Sequence, residues 1–154
     1  MSTTKKTADS VSVASPGVDE AVTFSKTVGE SDVYLFAGIT GDLSPVHVDH
    51  EFMKANSPFG ERIAHGVLLL GFTSAASTVL AARLQAAFGW RSMVSLGYDG
   101  IRFIAPVRIG DTITVRYRLV ARDTSRCRTT SEFEVGNQHG EKVLVGRHIM
   151  KWFE

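Results

Sequence analysis

Apolar and polar residues alternate over several stretches of the chain. Val22 and Phe24 are interleaved with Thr23 and Ser25, so Ala21–Thr27 reads as a short strand. Ile113, Val115, Tyr117 and Leu119 alternate with Thr112, Thr114, Arg116 and Arg118, the pattern of a strand with one wet face. Residues 93–103, 126–135 and 142–153 are the other strand candidates. Gly110-Asp111 and Gly136-Asn137-Gln138-His139-Gly140 supply the turns between them. A different pattern occupies 66–82, where 17 residues pass without a charge. As a helix that run would reach roughly 25 Å, short of a hydrocarbon core of about 30 Å, and it contains Thr73, Ser74, Ser77 and Thr78. It predicts a helix over about 64–88, apolar nearly all round and therefore buried.

Residues 30–60 are mixed and rich in turn formers. Helical starts fall at Ser31-Asp32 and at Ser44-Pro45. Ser44 suits an N-cap, and Pro45 suits the first helical position because its missing N–H has no partner there anyway. Pro58 and Gly60 break the chain before the long helix. One buried helix followed by a run of antiparallel strands predicts an α+β fold in which the sheet wraps the helix.

A length of 154 residues fits one domain, divided into a solvated N-terminal tail at 1–20 and a folded unit at 21–154. Lys5 and Lys6 are followed by no apolar core, so a secretory signal is not expected. Seventeen basic residues against sixteen acidic ones leave a formal charge of +1. That balance points to neither a nucleic-acid partner nor a membrane surface. The single cysteine, Cys127, cannot form an intrachain disulfide, so a reducing, cytoplasmic setting is the expectation.

The chemistry-bearing stretch is Thr40-Gly41-Asp42-Leu43-Ser44-Pro45-Val46-His47-Val48-Asp49. Gly41 allows a sharp turn, Asp42 precedes the capped helix, and His47 falls in its first turn. A carboxylate beside an imidazole can hold a water and pass protons at neutral pH. From spacing alone the plainer reading is the favoured one: Asp42 caps the helix start and His47 is a surface residue. Downstream, Ile63-Ala64-His65-Gly66 opens the long helix. The first N–H groups of a helix lack intrahelical partners, so Gly66 could offer its N–H to a carbonyl oxygen gaining negative charge. Alternatively, Gly66 only lets the helix pack closely.

These two segments together resemble the MaoC-like (R)-specific enoyl-CoA hydratases, and Phe103-Ile104-Ala105-Pro106-Val107-Arg108-Ile109-Gly110-Asp111-Thr112 is similar to a strand–turn–strand segment of the same family. The resemblance runs from about Ala21 to Phe153. It implies a hot-dog fold, a long helix cradled by an antiparallel sheet and usually assembled as a homodimer or higher even oligomer. It also implies reversible hydration of a trans-2-enoyl thioester. Asp42 and His47 would be the catalytic pair, Gly66 the donor to the thioester carbonyl, and Ser74 a supporting hydrogen-bonding group. The family more often has Asn where Ser44 stands. No metal or redox cofactor is implied; coenzyme A enters only as part of the substrate.

The alternatives are a (3R)-hydroxyacyl-carrier-protein dehydratase, a hydratase of branched or dicarboxylic enoyl-CoA, a hot-dog thioesterase, and a non-catalytic acyl-thioester-binding subunit. His47, Asp49, His50 and His65 lie close in sequence, with His47 and His50 at a helical spacing, but no third ligand at that spacing is present. His65 reads as a packing residue near the helix start, and His139 and His148 as structural or solvent-facing. Arg116, Arg118, Arg122, Arg126 and Arg128 read as a solvated sheet face, a dimer rim, or contacts for coenzyme A phosphates; Lys54 and Arg62 are alternatives for the last role.

Overall fold

The alternating stretches all become strands in the computed structural model, which describes residue 17 and residues 19–154. The expected tail at 1–20 therefore lies almost wholly outside the described residues. Its end is already tied down: the Asp19 N–H donates to the Leu119 carbonyl at 2.8 Å, and the Leu119 N–H donates to the Glu20 carbonyl at 2.8 Å.

In chain order the elements are β1 (Ala21–Thr27), α1 (Glu30–Thr40), α2 (Pro45–Val48), α3 (His50–Asn56), α4 (Gly66–Phe88), β2 (Ser92–Phe103), β3 (Thr112–Asp123), β4 (Arg128–Gly136) and β5 (Lys142–Phe153). The strands form one antiparallel sheet in the order β1-β3-β4-β5-β2. Strand β4 begins at Arg128, later than expected, because Cys127 takes φ 54 in the β3–β4 turn. The sheet carries Val115, Tyr117, Leu119, Phe133 and Val135 on the face that meets Leu68, Leu69, Ala76, Leu80 and Leu84 of α4.

Two expectations about α4 are corrected. It starts at Gly66, because the backbone just before it is bonded elsewhere: the Ala64 N–H donates to the Val107 carbonyl at 2.7 Å, and Ile63 bridges to Arg108. Nor is it buried all round. A single sheet covers one side, while Val67, Gly71, Ser74, Thr78, Val79 and Ala82 remain exposed. At 23 residues it is longer than the uncharged run alone, about 35 Å, and long and apolar enough to cross a membrane by length and composition. Here its apolar side lies on the sheet.

A polar cluster sits within this core. His148 is 1% exposed, with Nδ1 bonded to the Tyr117 hydroxyl at 2.7 Å and Nε2 to Ser95 Oγ at 2.8 Å. Tyr98 stacks on its ring at 4.2 Å. Burial pulls the His148 pKa down to about 4 and pushes the Tyr117 phenol up. On the opposite face of the sheet the basic group is largely paired: Arg116 with Glu134, Arg118 with Asp19 and Glu132, Arg147 with Glu132. The arrangement of these three matches a solvated, ion-paired sheet face. Arg122 lies elsewhere: after the bulge between Leu119 and Ala121 it sits over the Phe88 ring at the end of α4. Arg62 is likewise engaged, by Glu30 and Tyr34.

Candidate active site

Helix α1 ends where Gly41 adopts φ 78, a left-handed conformation that glycine enters without a Cβ penalty. The chain turns there and delivers Asp42 to the mouth of the loop. Oδ1 of Asp42 accepts from the Ser44 N–H at 3.3 Å, and its own N–H donates to Thr40 Oγ1 at 3.2 Å. One carboxylate oxygen thus shapes the turn, as the plainer reading of Asp42 anticipates. The other, Oδ2, points toward the His65 ring, 4.0 Å from Nε2. Ser44 occupies the N-cap position, but its hydroxyl makes no capping bond.

His47 is in the first turn of α2 and half-buried. Its Nδ1 lies 2.8 Å from the Ile63 carbonyl. A carbonyl only accepts, so Nδ1 donates to it, and in the neutral ring Nε2 is then the nitrogen that carries the lone pair. A carboxylate oxygen of Asp42 and one ring nitrogen from each of His47 and His65 lie within 4.8 Å of one another. The two segments singled out in the sequence therefore meet in space, although 16 residues separate His47 from Ile63.

The grouping differs from the sequence-proximal one. Asp49 accepts from the Phe52 N–H at 2.8 Å and caps α3. The helix breaks at Asp49, with ψ 103, so exposed His50 no longer shares a face with His47. His65 takes their place. It is 2% exposed, stacks on His47 with ring centroids 3.7 Å apart and planes at 28°, and bonds through Nε2 to the Asp42 carbonyl at 3.1 Å. Reading it as a packing residue caught its burial and missed its polar bond. The signal was a lone polar side chain immediately before Gly66 in an otherwise apolar stretch.

As a metal site these three residues fit poorly. Zinc sits about 2.0–2.1 Å from each nitrogen, along in-plane lone pairs that must converge. Stacked imidazoles direct theirs side by side, and the His65 Nε2 is already engaged with Asp42.

An apolar cavity of about 460 Å³ opens beside the cluster, lined among others by His47, Phe59, Gly66, Phe103, Ile104 and Val107. Gly66 is the first residue of α4 and is one of the residues that line this cavity. A Cβ on Gly66 would stand 2.8 Å from Cδ1 and Cε1 of the Phe103 ring. Close packing is thus one real reason for glycine here, and it coexists with a place on the cavity wall. Ser74 lies eight residues further on, about 12 Å along the helix axis, on the exposed side of α4. Its carbonyl accepts from Ser77 and Thr78, and it is not among the residues lining the cavity. A larger open concavity of about 940 Å³ lies away from the cluster, over the ion-paired arginines Arg116, Arg118 and Arg147.

Comparison with known proteins places this geometry in context. The family model described as MaoC-like domain matches residues 13–143. The (R)-specific enoyl-CoA hydratase of Rhodospirillum rubrum is 43% identical over 95 residues, 62% of this chain and 60% of that protein. The matched segment thus spans less than two thirds of that relative. The 3-hydroxybutyryl-CoA dehydratase of Methylorubrum extorquens is 38% identical over 128 residues, 82% of this chain and 74% of that protein. Among solved structures, the unliganded R-hydratase PhaJ1 from Pseudomonas aeruginosa aligns with a TM-score of 0.76 at 28% identity, covering 90% of this chain and 83% of that one. The architecture, a long helix cradled by a five-stranded antiparallel sheet, is the hot-dog fold.

Proposed function

This chain belongs to the MaoC-like domain family, and from that premise we propose that it catalyses the reversible hydration of trans-2-enoyl thioesters to (R)-3-hydroxyacyl thioesters. The observation that carries the reading is the convergence of the Asp42 carboxylate and the His47 imidazole beside an apolar cavity that His47 and Gly66 line. The acyl thioester would enter the cavity with its carbonyl oxygen on the Gly66 N–H. That bond, reinforced by the positive end of α4, stabilises the charge that grows on oxygen as C3 is attacked. One water would lie between Asp42 and His47. Its oxygen bonds to C3, one of its protons goes to the pair, and the pair returns a proton to C2, so atoms and charge balance over the cycle. Tying Nδ1 of His47 to the Ile63 carbonyl keeps a lone pair on Nε2, which suits it to receive a proton. The two groups are close enough to act as one acid–base unit. Ser74 would support this unit only if the chain or a bound substrate brings it nearer.

The chemistry needs neither metal nor redox cofactor. Two bare surfaces support a homodimer as the working form. Strand β2 is an unpaired sheet edge with exposed Val94 and Leu96, and exposed Val67 and Val79 lie on the open side of α4. Open edges and apolar faces are commonly closed by a second copy.

The test is loss of the conjugated enoyl absorbance of crotonyl-CoA by purified protein in the presence of a chelator, followed by chiral analysis of the product. Formation of the (R) alcohol without release of free thiol is expected. Thiol release instead would indicate a thioesterase, and an (S) product or dependence on added metal would overturn the mechanism.

A further inference from the structure

We infer that His65 is a positioning residue that fixes the geometry of the Asp42–His47 pair. The inference rests on the hydratase reading above for its catalytic consequence, but its structural basis is independent. Three parts of the site come from three separate elements: Asp42 from the loop after α1, His47 from α2, and Gly66 from the start of α4. Asp42 is half-exposed, and its bonds to Ser44 and Thr40 are long and local. The bond from His65 Nε2 to the Asp42 carbonyl ties Asp42 itself to a buried side chain from another part of the fold. The same imidazole lies against the ring of His47, with Phe36 tilted at 56° on a centroid distance of 4.9 Å. It also immediately precedes Gly66. One side chain therefore spans all three parts.

The hydrogen-bond pattern distinguishes this role from simple packing. The Asp42 carbonyl can only accept, so Nε2 is the ring nitrogen that donates, and Nδ1 is left as the other polar atom of the ring. That Nδ1 is buried and finds no partner. Burying an unpaired ring nitrogen is costly, and a phenyl ring would fill the same space without it. His65 also does not cap its own helix, although it occupies the N-cap position. Its one polar bond is spent on the loop that carries the carboxylate.

Two substitutions separate the donor from the ring. His65→Phe keeps the stack on His47 and removes the N–H. His65→Gln keeps a donor at nearly the same distance from the backbone and removes the ring. If His65 positions the pair, His65→Phe should melt at or above the wild-type temperature while kcat for crotonyl-CoA falls about tenfold or more, because small displacements of reacting groups are expensive. KM should stay within about threefold, since the cavity is untouched. His65→Gln should recover part of the lost kcat. A folded His65→Phe with wild-type kcat would overturn the inference while leaving the hydratase reading in place. If the wild type hydrates no enoyl thioester, that reading fails instead, and nitrogen NMR decides this one. Long-range ¹⁵N–¹H correlation should show the Nε2–H tautomer for His65; the Nδ1–H tautomer would rule out its bond to Asp42.

Discussion

Acidification should expose the buried His148 as a weak point of the core. In the unfolded chain its imidazole titrates near 6.5, and in the fold near 4, because burial disfavours the charged ring. The folded pKa is depressed, so the folded state takes up a proton less readily than the unfolded chain. Its contribution to stability is therefore complete above about pH 6.5, declines as pH falls through that value, and reaches its floor near pH 4. The full difference between 6.5 and about 4 corresponds to about 3 kcal/mol. Between about pH 7 and about pH 5 the loss from this group is about 2 kcal/mol, a large share of the stability of a small domain. The geometry supports the direction: both ring nitrogens are bonded, to Tyr117 and Ser95, and a doubly protonated ring would oblige both to accept. Urea unfolding followed by tryptophan fluorescence measures this directly, since Trp152 is buried and stacks on Trp90 at 4.2 Å. His148→Gln has no titrating group and should lose about 2 kcal/mol less than the wild type over the same interval, whatever its starting stability. Parallel pH dependences in the two proteins, within about 0.5 kcal/mol, would refute the assignment.

Other substitutions address the site and the assembly. Asp42→Asn keeps an oxygen for the Ser44 N–H and should cost at most about 1 kcal/mol of stability, yet lower turnover roughly a hundredfold. His47→Gln should behave alike, and the double variant should lose far less than the sum of the two; near-normal turnover in either folded single variant would remove the pair from the mechanism. Gly66→Ala retains its N–H but drives a Cβ against the Phe103 ring, so a loss of about 1–3 kcal/mol should be relieved by Phe103→Leu, and strictly additive effects in thermal unfolding would deny the contact. Light scattering behind size-exclusion chromatography should report at least a dimer at micromolar concentration, and a monomer alone would leave the β2 edge and the open side of α4 to another explanation.

Periodicity carried most of the architecture. Alternation placed β1 and β3, because a strand with one buried face must repeat every second residue, and the other three candidate stretches became strands to within a few residues. The uncharged run located α4, but not its starting point or its bare side. Its start depends on Ile63 and Ala64 finding β-type partners in Val107 and Arg108, more than 40 positions away, and its bare side on how much one sheet can cover. Likewise the motif around Asp42 and His47, and that around Gly66, were each legible as local chemistry. Their union was not, since a pattern of residue types holds no distances. Folding selected His65 over Asp49 and His50 as the third member of the cluster, by breaking the helix at Asp49 and burying His65 beneath the His47 ring. It also gave Gly66 a packing partner in Phe103 and made His148 a core residue. Local sequence determines which hydrogen bonds and faces a segment can offer; only the closed fold decides which of those offers are met and which side chains lose their water.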